Sequence, residues 1–191
     1  SDASVTVDNP RGKAVGQGVR HGLWDAVGEN EADAAVHAVV LTCAGRTFIA
    51  GADSREFDGG PFEPWLADLV NRIHGARKPW VAAIHGTALG GGLETALGCH
   101  YRIMRRGAKV GLPEVALGIL PGAGGTQRLP RVVGPEPAVR MITSGKPVGA
   151  EAARDLGLVD RVAADLAAEA LALAPAVPGR PRPSTRAAPA Q

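Results

Sequence analysis

The stretch Trp80-Val-Ala-Ala-Ile-His-Gly-Thr-Ala-Leu-Gly-Gly-Gly-Leu-Glu-Thr-Ala-Leu-Gly-Cys99 decides the reading of this chain. Trp80 to Ile84 is an apolar run without polar alternation, the pattern of a strand buried on both faces. From His85 the chain reads as strand, then a Gly-rich turn, and a helix opens near Gly91. Glu94 is the only acidic or basic charge between His85 and His100 and falls in the first turn of that helix. A helix N-terminus suits a carboxylate, but Leu93, Ala96 and Leu97 around it are the neighbours of a buried group rather than of an exposed cap. Burial raises a carboxylate's pKa and makes it usable as an acid or base near neutral pH.

Outward from this stretch the same alternation repeats. Val5 to Val7 and Val36 to Thr42 read as strands, with a helix over 19–32 between them, where Val19, Leu23, Ala26 and Val27 recur at helical spacing. Residues 10–18 form a Gly/Lys loop. The Val36 strand runs into Ala44-Gly-Arg-Thr-Phe-Ile-Ala-Gly-Ala-Asp53, a small-residue segment at a strand end. Pro64 to Ile73 reads as a helix stopped by Lys78-Pro79. Downstream, Tyr101 to Met104 is strand-like and Val110 to Gly118 is a loop. Leu120 to Gly125 is a turn before a helix over Thr126 to Val133, and helices follow at Glu136–Ser144, Ala150–Leu156 and Ala163–Ala174. Strands alternating with helices, with glycine at the junctions, indicate an α/β domain over residues 1–174. The Pro, Arg, Ala and Ser of residues 175–191 read as a disordered tail.

Composition narrows the classes of function. The 191 residues include 26 Gly and 15 Pro, with 45% hydrophobic and 21% charged. Glycine lacks the every-third spacing of collagen, and the apolar fraction is too high for wholesale disorder. The net charge of +2 is misleading, because Arg180, Arg182 and Arg186 lie in a tail without acids. The body is close to neutral, so no nucleic-acid partner is expected. Cys43 and Cys99 form no CxxC and read as buried thiols of a reduced compartment. No run approaches the ~18–20 apolar residues of a membrane span, and no signal-peptide pattern opens the chain. A cytoplasmic setting is expected, with a peroxisomal one left open.

Common catalytic templates fail. PGAGGTQ does not satisfy GxGxxG, Ser144-Gly-Lys-Pro is not a P-loop, and there is no GxSxG elbow. The five histidines show no HxxxH or HExxH spacing, so no metal site is expected, and His85 and His100 read as structural. Two carboxylates remain, Glu94 and Glu114, the latter following Leu112-Pro113 among Val115, Ala116 and Leu117. Taken alone, each is as readily a hydrogen-bonded structural Glu as a catalytic one. Gly90-Gly91-Gly92 and Ala50-Gly51-Ala52-Asp53 offer unobstructed backbone N–H groups. Two of these converging on one carbonyl oxygen would form an oxyanion hole, or the glycines merely permit tight turns.

Phe48-Ile-Ala-Gly-Ala-Asp53, His85 to Glu94, Gly98-Cys-His-Tyr-Arg-Ile103 and Gly111-Leu-Pro-Glu-Val115 continuing to Leu120-Pro-Gly-Ala-Gly-Gly-Thr-Gln-Arg-Leu129 together resemble the crotonase (enoyl-CoA hydratase/isomerase) superfamily. The closest likeness is to the N-terminal hydratase/isomerase part of bifunctional and multifunctional fatty-acid β-oxidation enzymes. It covers about residues 5–162. The resemblance implies a crotonase-like spiral of repeated ββα units, here with its C-terminal helical part truncated. It implies an acyl-CoA thioester as substrate, with no cofactor, its oxygen meeting the N–H groups of Ala52 and Gly91. Glu94 would help deprotonate a water adding to C3, and Glu114 would protonate C2, or shuttle a proton between C2 and C4 in a 3-enoyl to 2-enoyl shift. Lys13, Ala14 and Ala50 are the expected CoA contacts. Lys13 stands where relatives carry Asn and either meets phosphate or is simply solvated. Ser54 and Thr95 are polar where relatives are usually apolar. A homo-oligomer or partner β-oxidation enzymes fit the resemblance. The rival class is a non-catalytic acyl-CoA-binding or assembly module left by truncation.

Overall fold

A computed structural model describes residues 2–9, 14–53, 56 and 62–173. Lys13, Ser54 and the segment 175–191 lie outside the described residues. In chain order the elements are β1 (Asp2–Val7), α1 (Gln17–Ala32), β2 (Ala38–Cys43), β3 (Ile49–Ala50), α2 (Leu66–Gly75), β4 (Trp80–Ile84), β5 (Thr87–Leu89) and α3 (Gly91–Gly98). Then come β6 (Tyr101–Arg105), β7 (Lys109–Gly111), a 3-10 turn (Pro113–Leu117), α4 (Gly125–Val133), α5 (Pro135–Ser144), β8 (Val148–Gly149), α6 (Ala150–Asp155), β9 (Arg161–Ala163) and α7 (Leu166–Leu173).

Two sheets share these strands. β1-β2-β4-β6-β9 is all parallel, and β3-β5-β7-β8 is parallel except for its β7–β8 pair. The chain enters the first sheet, crosses to the second and then turns into a helix. This happens at β2-β3-α2, β4-β5-α3, and β6-β7 followed by the 3-10 turn and α4, which is the repeated ββα unit.

The unalternating apolar strands follow from this layering. Val39, Leu41, Trp80, Ala82, Ile84 and Met104 point into the main core, under α1, α2 and α3. Val40, Val81, Ala83, Tyr101 and Ile103 point to the other face, where Leu166, Ala170 and Leu173 of α7 cover them. Both faces are therefore buried, and the period-2 signal disappears.

Two stretches depart from the sequence reading. Val110 to Gly118, expected as a loop, holds part of β7 and the 3-10 turn. Three strand residues carry too little periodicity to be recognised, and β7 is fixed by pairing with β5 and β8. The expected helix from Ala163 starts only at Leu166, because Arg161 to Ala163 pair with Ile103 to Arg105 as β9.

Candidate active site

All eight residues of α3 are buried, as expected of a helix that is apolar on every side. Its glycines let it approach β3 at backbone distance. A Cβ at Gly92 would lie 1.9 Å from the Ile49 carbonyl oxygen. Gly90, just before the helix, has φ 54°, a conformation that side chains with a Cβ rarely adopt. Gly91 is the first helical residue, so its N–H has no acceptor within the helix. A Cβ on Gly91 would sit 3.5 Å from the Ala52 nitrogen and closer still to Leu66 and Val15. The Ala52 and Gly91 backbones are thus brought side by side, from sequence positions far apart.

Glu94 is 3% exposed. Its Oε1 accepts the N–H of Ala123 at 2.8 Å and that of Gly125 at 2.9 Å, both from the turn that opens α4. Burial pushes its pKa up; the two N–H donors and the Arg128 charge offset this only in part. Glu114 sits in the 3-10 turn and is 9% exposed. Its pKa is raised too, by burial and further by the negative charge of Glu94, against one opposing backbone hydrogen bond. Its Oε2 is buried with no hydrogen-bond partner among the described residues, while Oε1 faces the Gly90 backbone. Two neighbouring carboxylates in such different settings suit different proton tasks.

Ala50 ends β3 with its surface exposed, and Ala14 is partly buried, its carbonyl accepting from Asn9 Nδ2 at 3.2 Å. Val15 donates to the Gly51 carbonyl at 2.9 Å, which ties the segment carrying Ala14 to the turn carrying Ala52. Lys13, expected as a CoA contact, is outside the described residues. The departure at Thr95 is absorbed locally, since its hydroxyl donates to the Gly91 carbonyl at 2.7 Å. His85 bonds the Gly45 carbonyl and His100 accepts the Trp80 N–H, the structural roles expected of them. Cys43 and Cys99 are both buried, and burial pushes the Cys99 thiol up to about 12. Among the described residues no three His, Cys, Asp or Glu side chains gather as a metal site. No described helix is long and apolar enough to cross a membrane.

Sequence reasoning missed three supporting groups. Arg20, 4% exposed, donates to the carbonyls of Val15, Phe62 and Pro64 and to Glu56 Oε2 at 2.6–2.9 Å. Arg128 and Asn71 join α4 to α2 beside Glu94. The available signal was an arginine on an otherwise apolar helix face: Arg20 one turn before Leu23, and Arg128 next to Leu129 and one turn before Val132.

Known proteins resemble this chain along most of its length. The enoyl-CoA hydratase/isomerase family model matches residues 2–187, further than the motifs alone extend. The chain is 46% identical over 187 residues to the peroxisomal bifunctional enzyme of Danio rerio, covering 97% of this chain and 26% of that one. It is 45% identical to a probable enoyl-CoA hydratase of Bacillus subtilis, covering 85% of this chain and 66% of the relative. The crystal structure of enoyl-CoA hydratase from Bacillus anthracis superposes with a TM-score of 0.85 at 33% identity, over 91% of this chain and 71% of that one. The chain therefore spans about a quarter of the bifunctional relative and two thirds of the Bacillus subtilis one. With a family model matched along nearly its whole length and the ββα spiral in place, this chain belongs to the enoyl-CoA hydratase/isomerase (crotonase) family.

Proposed function

We propose that this chain hydrates 2-enoyl-CoA to 3-hydroxyacyl-CoA as a step of fatty-acid β-oxidation. The observation that carries the reading is the pair of buried, charge-coupled carboxylates, Glu94 and Glu114, beside the adjoining Ala52 and Gly91 backbones. The thioester oxygen accepts the N–H groups of Ala52 and Gly91, which stabilise the enolate that develops there. Glu94, held by Ala123 and Gly125 through Oε1, keeps its other oxygen for a water. It takes a proton as that water's oxygen bonds to C3. The π electrons of the C2–C3 bond move onto the thioester, and Glu114, protonated at the start, gives its proton to C2. The proton taken by Glu94 then passes to Glu114, which restores both carboxyls. The net change is the addition of one water, with no oxidant or reductant. Glu114 moving a proton between C2 and C4 would give a 3-enoyl to 2-enoyl isomerase on the same scaffold. Ala14, Ala50 and Lys13 are proposed as CoA contacts.

Incubating the chain with crotonyl-CoA and identifying products by mass tests the reading. A product heavier by one water is expected. Calorimetric binding of an acyl-CoA without any product would instead identify a binding module, and this reading would be wrong.

A further inference from the structure

We propose that Arg128 is a positioning residue for Glu94, acting through the Ala123 carbonyl and itself set by Asn71. The inference rests on the hydratase reading for the role of Glu94, and on the following contacts for the rest. Arg128 is 8% exposed. Its Nη2 donates to Asn71 Oδ1 at 2.7 Å and its Nη1 to the Ala123 carbonyl at 3.3 Å. Ala123 is the residue whose N–H grips Glu94 Oε1. One guanidinium thus links α2 to the turn that fixes the carboxylate.

The turn is shaped around both groups. A Cβ at Gly124, whose φ is +93°, would lie 2.2 Å from Arg128 Nη1, and one at Gly125 would lie 2.9 Å from Glu94 Oε1. Glycine at these two places leaves the room that the guanidinium and the carboxylate occupy. The cleft that Arg128 lines, about 380 Å³ between α2 and α4, has neither Glu94 nor Glu114 in its wall. The guanidinium reaches the carboxylate through the Ala123 carbonyl and through its charge.

Charge adds to geometry. Among the described residues, the charged groups that act on Glu94 are Arg128 of α4 and Glu114 of the 3-10 turn. On α2, Arg72 lies over the Trp24 ring and His74 stacks on His100, while Arg102 of β6 bonds the far end of α3 at the Ala96 and Cys99 carbonyls. Arg128 is thus the cation that favours ionised Glu94, against the desolvation of its site. Removing that charge raises the Glu94 pKa, so the acid limb of kcat/KM moves to higher pH.

The test compares the parent chain with Arg128→Met, Arg128→Lys and Asn71→Leu. Glu94 titration is followed by infrared or carbon-13 NMR, its signal identified by loss in Glu94→Gln. In Arg128→Met the Glu94 midpoint is expected to rise by about one unit. A misplaced carboxylate should lower kcat on the order of tenfold or more, with KM within about threefold, since Arg128 acts through Glu94 rather than on the substrate. Arg128→Lys should restore the midpoint but not kcat, because an ammonium lacks the planar fork. Asn71→Leu should move both readouts in the same direction as Arg128→Met. An unmoved Glu94 midpoint in folded Arg128→Met overturns the proposal. If that variant does not fold, an unmoved midpoint together with parental kcat in Asn71→Leu overturns it. Failure of the parent to hydrate crotonyl-CoA would instead overturn the hydratase reading, and the Glu94 titration would still judge Arg128.

Discussion

Glu114 combines a functional asset with a cost to stability. Burial and the Glu94 charge raise its pKa in the folded chain, so ionising it costs more folded than unfolded. That penalty is absent below the ordinary carboxylate value and grows as pH rises through the raised folded value. Glu114→Gln removes the ionisable carboxyl and should raise Tm by about 2–4 °C at neutral pH. The gain should vanish near about pH 4, where the unfolded carboxyl is itself largely protonated. Thermal denaturation at the two pH values checks this; an equal shift at both would contradict it. Glu94 and Glu114 were legible as candidates because each stands as a lone charge among apolar neighbours, although neither spacing nor periodicity shows that they meet. Arg128 carried only the signal of an arginine on an apolar helix face; its contact with Asn71 was not legible, since it depends on how α2 and α4 pack, and Asn71 looks like any polar residue on a helix.

At the scale of elements, α3 is held by close backbone approach. Gly92→Ala would place a methyl group 1.9 Å from the Ile49 carbonyl oxygen, a backbone atom that cannot rotate away. The cost should be about 3 kcal/mol, as for severe overpacking, or a Tm lower by about 6–12 °C. Gly22 of α1 is the control, because a Cβ there meets nothing within 4 Å. Gly22→Ala should stabilise by about 0.5–1 kcal/mol through helix propensity, read as a small rise in Tm. Similar losses at both positions would show that glycine matters here for something other than close approach. The sequence placed α1, α2, β4 and α3 within a few residues because their apolar runs are long enough to carry a pattern. β3, β8 and β9 have two, two and three residues. Elements so short exist through their sheet partners and leave almost no local signal. The glycine triplet showed that the backbone turns sharply, but its approach to β3 emerged only from the packing.

The whole molecule is a two-sheet spiral whose site draws on segments far apart in sequence. Neither composition nor periodicity gives the order of strands in such a spiral; the family resemblance implied the repeated ββα units, and the strand order came only from the structure. Arg20 binds the entrance of α1, Glu56 and the approach to α2 into one unit, and Val15 passes that order to the turn of Ala52. Arg20→Ala takes one donor from each of three carbonyls and from Glu56 Oε2, while Glu56 Oε1 keeps the Gln17 N–H. Glu56 keeps a side-chain exposure of 20%, so the loss should be about 3 kcal/mol, the low end for breaking a buried pair. A Tm lower by about 6–12 °C is expected, and a drop below ~1 °C would contradict it. This fold is proposed to add water across an enoyl thioester using Glu94 and Glu114. The most direct test is the loss of conjugated enoyl-thioester absorbance from crotonyl-CoA, comparing the parent with Glu94→Gln and Glu114→Gln, each confirmed folded. The parent should turn over, and each variant should be slower by at least ~10², the lower range for a general acid–base group. A folded parent that leaves the absorbance unchanged would contradict the hydratase activity, and variants that match its rate would contradict the roles of Glu94 and Glu114.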